Sequence, residues 1–134
     1  MSDVDGAGLR VLTDAECMRR LASVSVGRVA LSHRALPAIL PVHFHLADDG
    51  IVLQTRTGTT LHRSTDSTVV AFEAEGPAGA ADPEWSVVVH GLATHRSCPW
   101  ADGSVTIVIG VEAVTGREVL EAADPMATAT LRRW

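Results

Sequence analysis

The spacing of hydrophobic residues changes once along this chain, from a helical period to a period of two. Residues 13–16 read TDAE, a capping box in which a threonine N-cap and a glutamate three positions later satisfy each other's backbone N–H groups. Met18, Leu21 and Ala22 follow at helical spacing. Leu12 and Cys17 flank this start as a hydrophobic staple. The pattern therefore predicts a helix from residue 13 to about residue 22.

Beyond that helix, short apolar runs alternate with turn residues, which is typical of β-strands. The predicted strands cover residues 24–31, 36–46, 51–56, 68–74, 85–94 and 105–111, with a short seventh strand at 112–119 and a short helix at 59–65. The pair Asp49-Gly50 predicts a tight hairpin turn between the second and third strands. Many short strands and few helices predict a mainly β protein, either a sandwich or a barrel.

Two of these strands are apolar on both faces. Residues 87–89 read VVV and residues 107–109 read IVI, whereas a strand with one face in water alternates with polar residues. One face of each strand is expected to fill the interior, and the other to be covered by a helix or a second subunit. The sequence thus favours a homodimer.

Composition limits the domain organisation and the partners. A chain of 134 residues with 46% hydrophobic residues forms one domain with a real core. We predict a flexible arm at 1–11, a folded domain at 12–120 and a C-terminal tail at 121–134. A net charge of −5 argues against nucleic acid as a partner, because phosphate backbones require a basic surface. Without a membrane-spanning apolar run or a signal peptide, and with two unpatterned cysteines, a cytoplasmic location is expected.

The candidate chemistry is concentrated where the third strand meets the short helix. Arg56, Thr57, Gly58, Thr59 and Thr60 combine a fixed positive charge, hydroxyl groups and a glycine turn at a strand-to-helix corner. Helix starts and glycine turns direct N–H donors at anions, and arginine binds phosphate oxygens in a bidentate manner. The alternatives are an ordinary surface arginine at a strand end and threonines that only cap the helix. We favour a phosphate site.

Other polar residues are weaker candidates. His43 and His45 share one face of a strand, but a metal pair lacks a third ligand in the sequence, so no metal is predicted. Trp85 at a strand start is interpreted equally well as packing or as a residue that flanks a ring, with Ser86 beside it. No nucleophile is paired with a base in sequence, and no catalytic residue is assigned. That absence fits a protein in which a cofactor moves electrons and the protein positions it.

Six segments in the correct order identify a resemblance that covers residues 10–120. The chain resembles the FMN-binding split-barrel proteins related to pyridoxamine 5'-phosphate oxidase, in particular their short actinobacterial branch. The segments that carry the resemblance are GRVA at 27–30, PAILPVHF at 37–44, TRTGT at 55–59, VAFE at 70–73, WSVVVHG at 85–91 and VTGR at 114–117.

The resemblance implies a six-stranded antiparallel Greek-key split barrel with an N-terminal helix and one short helix, assembled as a homodimer. It further implies a flavin in a groove between subunits, and an FMN-dependent oxidoreductase that passes a hydride or electrons to a small molecule. The phosphate would lie at Arg56–Thr60, and the ring along Pro41, Val42 and His43 near Trp85 and Ser86. The alternatives are a deazaflavin-dependent reductase and a non-catalytic binding module with little or no cofactor.

The sequence departs from this family at one position of the corner. Relatives usually carry a lysine where Thr60 stands, and that lysine supplies a second positive charge to the phosphate. Its loss predicts weak flavin binding and favours the module with little cofactor, whereas the intact segment 56–59 opposes that interpretation.

Overall fold

A computed structural model describes residues 3–4, 8–76, 83–97 and 103–119 of the chain. Nine strands and two helices follow one another in these segments. They are β1 (Asp3–Val4), β2 (Arg10–Val11), α1 (Asp14–Ala22), β3 (Val26–His33), β4 (Leu36–Ala47), β5 (Gly50–Arg56), α2 (Thr60–Ser64), β6 (Thr68–Gly76), β7 (Trp85–Ser97), β8 (Ser104–Ile109) and β9 (Ala113–Glu118).

Six antiparallel strands close into a barrel. Around the ring their order is β3, β4, β5, β8, β7 and β6, and β6 pairs with β3 again to complete the closure. The links from β5 to β8 and from β6 to β3 join strands that are distant in sequence, as in a Greek key. Closure removes the free strand edges that an open sheet of this size would expose.

The barrel splits along β7, which is long enough to pair with two strands on the same side. Its first half, 85–90, pairs with β9, and its second half, 93–97, pairs with β8. The chain passes from β8 to β9 at Gly110, whose N–H donates to the carbonyl of Leu92 at 3.1 Å. Gly91 faces this crossing, because a Cβ there would lie 1.5 Å from the carbonyl oxygen of Gly110.

The helices close the two ends of the barrel. Thr13 caps α1 in a complete capping box with Glu16, as the sequence predicted, and Cys17 and Leu21 are fully buried. Leu61 of α2 is buried in the same core as the inward residues of the strands. Strand residues in this core alternate with residues on the outer face, and its largest members are Phe72, Ile51, Leu53, Ile107, Ile109, Val29, Val87 and Val89.

Two short strands lie in the segment predicted as an arm. Arg10 and Val11 pair with Arg117 and Glu118 of β9. The guanidinium of Arg10 donates to Glu16 at 3.0 Å and to Glu118 at 3.2 Å, which fastens α1 to the sheet. This donation lowers the pKa of Glu16 to about 2.

The predicted fold class is confirmed: a mainly β, six-stranded antiparallel barrel with an N-terminal helix and one short helix. Predicted strand ends differ from the observed ends by up to three residues, and the predicted seventh strand is β9. The predicted domain boundaries stay predictions, and the proposed tail at 121–134 falls outside the described residues.

Candidate functional site

The strand-to-helix corner begins where β5 ends at Arg56. Thr57 turns the chain away from the barrel and fixes it to the start of β8, because its N–H and its hydroxyl both donate to the carbonyl of Gly103, at 2.8 and 3.0 Å. Both donors of Thr57 are therefore used inside the protein. In this conformation Thr57 supports the corner and has no proton left to offer an anion.

Gly58 and Thr59 complete the turn. Gly58 has a φ of +87°, a left-handed conformation that favours glycine, and its N–H donates to Nδ1 of His62 at 2.9 Å. Thr59 is the N-cap of α2, as the sequence predicted as an alternative, and its hydroxyl accepts the N–H of His62 at 3.2 Å. The same hydroxyl donates to the carbonyl of Arg56 at 2.9 Å.

Three charged or backbone donor groups of the corner remain for a ligand. The side chain of Arg56 is exposed and makes no ion pair with any described residue, whereas Arg28 and Arg96 on the outer face of the barrel are paired with carboxylates. Thr60 and Leu61 are the first two residues of α2, and the helix itself provides no partner for their N–H groups. The corner thus has a cation and two amides available, which is the donor set that a phosphate needs.

Strand alternation places this corner on the same face as the predicted ring site. Arg56 follows Gln54 by two residues on β5, so both side chains point outward, about 7 Å apart along the strand. On the adjacent β4, His43 and His45 also point outward and are exposed. Gln54 and the two histidines line an open depression of about 340 Å³, together with Phe44, Val52 and Leu53.

The predicted segment at 41–43 is divided by the strand. Pro41 and His43 face outward, whereas Val42 is half-buried and packs against the core of the barrel. Only the first and third side chains of this segment, together with its backbone, face a ligand on the outer surface.

Trp85 and Ser86 also point in opposite directions. The Trp85 side chain is only 3% exposed and belongs to the core, so the packing alternative describes its indole in this structure. Ser86 points outward and donates to Glu73 at 3.1 Å. Arg28 lies against the same carboxylate at 3.4 Å and also donates to Glu75, which produces a polar network on β3, β6 and β7. Arg28 is paired with Pro41 on β4, so this network lies beside the predicted ring segment.

The sequence matches the protein-family description "Pyridoxamine 5'-phosphate oxidase" over residues 13–128, which is most of the chain. The chain belongs to the pyridoxamine 5'-phosphate oxidase family. Members of this flavin-binding family share the split barrel described above, and the predicted resemblance is confirmed.

Relatives of this oxidase-family protein include three that are informative. An uncharacterized protein of Mycobacterium tuberculosis, Rv0080, is 38% identical over 125 residues, covering 78% of this chain and 82% of the relative. The solved structure of an FAD-binding protein from Mycobacterium smegmatis is 27% identical with a TM-score of 0.68, over 84% of this chain and 99% of the other. A solved structure from Corynebacterium glutamicum, described as "Putative pyridoxamine 5'-phosphate oxidase", is 26% identical with a TM-score of 0.71, over 84% of this chain and 99% of the other.

Sequence reasoning missed a group of histidines behind the corner of this oxidase-family barrel. The rings of His62 on α2 and His95 on β7 lie 5.1 Å apart between centroids. Nε2 of His95 lies 2.9 Å from the hydroxyl of Thr65, which is fully buried. Since 33 residues separate the two histidines, only the closed barrel brings them together. The one local signal was the four-residue spacing of Gly58 and His62.

Metal binding has no support among the residues that the structure describes. Within the described segments, no group of three histidine, cysteine or carboxylate side chains is placed to hold an ion. None of the described helices has the length and apolar character needed to cross a membrane.

Proposed function

We propose that this protein binds a flavin nucleotide on the outer face of β4 and β5, with its phosphate at the Arg56 corner. The observation that carries the proposal is the exposed guanidinium of Arg56, without an ion pair among the described residues and on the same face as the depression beside His43. A phosphate group would accept hydrogen bonds from this guanidinium and from the N–H groups of Thr60 and Leu61, and its negative charge would neutralise Arg56.

The flavin is FMN in our proposal, and FAD is the second candidate. The FAD-binding protein from Mycobacterium smegmatis supports FAD, because it is 27% identical and has the same barrel. FAD contains the ring, ribityl chain and first phosphate of FMN, so the corner is suited to either. A deazaflavin coenzyme has a ring in which carbon replaces N5, attached to the same ribityl chain and phosphate, and it is the alternative for a reductase. Chromatography of the flavin released from the purified protein distinguishes these cases.

The proposed activity is that of an oxidoreductase acting on a small molecule. When bound, the flavin supplies hydride and electron transfer. The protein's own part is to bind and orient: Arg56 neutralises the phosphate, the two amides at the start of α2 fix its position, and His43 donates a hydrogen bond to a ring carbonyl. A yellow protein with flavin absorbance that is bleached by a reduced nicotinamide would support this activity. A colourless protein that takes up no added flavin would instead support a non-catalytic module.

Introducing a lysine at position 60 is expected to tighten flavin binding. Thr60 stands where relatives usually carry a lysine, at the first position of α2, where the side chain is half-buried. An ammonium beside a phosphate in a partly open groove adds about 1 kcal/mol, or roughly fivefold in affinity. The variant Thr60→Lys and the natural protein are compared by quenching of flavin fluorescence at low and high salt.

The salt dependence provides the control for this lysine. A partly exposed ion pair is screened, so the gain should decrease at high salt. The conservative variant Thr60→Ser keeps the hydroxyl and adds no charge, and it should bind as the natural protein does. Equal affinity of Thr60→Lys and the natural protein at low salt would show that position 60 does not face the phosphate.

The same proposal includes a homodimer that covers part of the flavin site. The outer face of the barrel carries an apolar patch formed by Ile39 (67% exposed), Val69 (61%) and Leu92 (38%). Val69 and Leu92 are directly opposite each other on β6 and β7, and Ile39 lies across β3 from them. On the two strands predicted to be apolar on both faces, Val87, Val89, Ile107 and Ile109 face the core, and the other face carries the half-buried Val88 and the buried Val108. The exposed patch is thus formed by residues other than those.

We expect light scattering at micromolar concentration to show a dimer, with more than about 2,000 Å² buried in total. Val69→Asp places a charge in the patch and is expected to give a monomer. Val119→Asp, an exposed position beyond β9, is the matched control and should remain dimeric. A natural protein that is monomeric under these conditions would contradict this part of the proposal.

A further inference from the structure

His62 lies directly behind the Arg56 corner and contacts it through one ring nitrogen. The N–H of Gly58 donates to Nδ1 of His62 at 2.9 Å. A backbone N–H only donates, so Nδ1 must be unprotonated for this bond to exist. The neutral ring then carries its proton on Nε2. The bond closes the turn at Gly58, whose φ of +87° is the sharpest departure from strand geometry in the corner.

The tautomer of the neighbouring His95 is also set by a hydrogen bond. The hydroxyl of Thr65 donates to the carbonyl of Leu61 at 2.6 Å, which leaves only its lone pairs for other partners. Nε2 of His95 must therefore donate to that hydroxyl at 2.9 Å. His95 packs against His62 at 5.1 Å and so holds the His62 ring in the orientation that the Gly58 bond requires.

We propose that His62 is the positioning residue of the phosphate corner: its bare Nδ1 holds the Gly58 N–H, and protonation of the ring opens the corner and weakens anion binding. The inference rests on the proposed flavin site. When Nδ1 carries a proton, it can no longer accept the N–H of Gly58, because both groups are then donors. The bond at Gly58 therefore cannot persist when the His62 ring is charged. The turn that orients Arg56 and the start of α2 then loses its closing contact.

Other charged and titratable groups surround His62 on every packed element. From β7, His95 faces it, and Nδ1 of His95 lies 3.9 Å from the carboxylate of Asp66. From β3, His33 contacts Ser64 of the same helix at 3.1 Å. Arg56 at the end of β5 and Arg63 on α2 are exposed. The experiment between pH 5.5 and 8 must therefore separate His62 from His33, His95 and the flavin phosphate, whose second pKa is about 6.

Two substitutions divide the functions of the imidazole. His62→Asn keeps an acceptor at the position of Nδ1 but cannot be protonated in this range. His62→Phe keeps a ring against His95 but has no acceptor. At pH 8, the Asn variant should bind FMN as the natural protein does, and the Phe variant should bind about two- to tenfold more weakly, the effect of one lost hydrogen bond.

The pH profile tests the proton itself. Between pH 8 and 5.5 the natural protein should lose about two- to tenfold more affinity for FMN than His62→Asn does, because only the natural protein loses the bond to Gly58. The titration of the phosphate affects both proteins alike and cancels in this comparison. His95→Gln, which keeps a donor toward Thr65, and His33→Gln should retain the natural profile. The proposal would be overturned if the FMN affinity of His62→Asn depends on pH as that of the natural protein does. It would also be overturned if His95→Gln or His33→Gln loses the natural pH dependence. So would tighter binding of FMN by the natural protein at low pH than by His62→Asn.

A measurement without flavin separates this inference from the proposed function. Long-range ¹⁵N–¹H spectra report the His62 tautomer, and hydrogen exchange reports protection of the Gly58 amide. We expect the Nε2–H tautomer at pH 8, and protection of Gly58 that is lost on acidification in the natural protein and kept in His62→Asn. Protection that is equal in His62→Phe and the natural protein would overturn the inference even if flavin binds at Arg56. If the Gly58 amide shows the expected protection but the protein binds no flavin, the proposed function is wrong and the inference about His62 stands.

Discussion

Replacing Gly91 with alanine is expected to lower the free energy of unfolding by about 3 kcal/mol, at the upper end of the range for overpacked sites. Gly91 lies where β7 changes its partner from β9 to β8, and a Cβ there would lie 1.5 Å from the carbonyl oxygen of Gly110. The obstacle is backbone, which cannot rotate away as a side chain does. Relief requires the two segments to separate, at the expense of the bond from the Gly110 N–H to Leu92.

Gly110 is the matched control for this prediction. A Cβ at Gly110 meets no atom closer than 4.0 Å, so Gly110→Ala should be neutral or stabilise the protein by a few tenths of a kcal/mol through the unfolded chain. Urea unfolding of both variants measures the difference, and Gly91→Ala should also lower the melting temperature by roughly 10 °C. Similar stabilities of the two variants would mean that the backbone of Gly91 does not lie in contact with the backbone of Gly110.

The sequence predicted local features better than the closure of the barrel. Residues 13–16 specify a helix start by their own hydrogen bonds, so it could be predicted from a few adjacent residues. The predicted hairpin between β4 and β5 is present, but its two turn residues are Asp48 and Asp49, and Gly50 is the first residue of β5. The alternation of apolar residues left a sandwich and a barrel open, because it does not show which strands pair. The pairing of β5 with β8 joins residues about 50 positions apart, and only the family resemblance indicated it.

The candidate site shows the same division. The type of chemistry at Arg56–Thr60 could be predicted, because an arginine, a glycine turn and a helix start are adjacent in sequence. The tasks of the individual groups could not, since Thr57 is bound to Gly103 and Gly58 to His62 through contacts that depend on the turn. The direction of Trp85 depended on the strand register, and the register placed its indole in the core. The assignment of these residues to a flavin stays a prediction.

Replacing Arg56 with alanine is expected to weaken flavin binding by about ten- to a hundredfold, or about 1.5–3 kcal/mol for a charged hydrogen-bonding partner. Arg56 is the group of the corner that carries a permanent charge, and it makes no ion pair with another described residue. Its removal therefore leaves the described contacts of the barrel in place and takes away the main attraction for the phosphate. The dissociation constants of FMN for the variant and the natural protein are obtained by fluorescence quenching.

Two further variants show whether charge or geometry matters at this position. Arg56→Lys keeps the charge but not the bidentate fork, so its affinity should lie between those of the alanine variant and the natural protein. Arg19→Ala removes an exposed arginine of α1, at the opposite end of the barrel, and should leave binding unchanged. Riboflavin has no phosphate, so its weaker affinity should be the same for Arg56→Ala and the natural protein. If FMN binds equally well to Arg56→Ala, or if riboflavin loses as much affinity as FMN does, the phosphate is held elsewhere on the barrel.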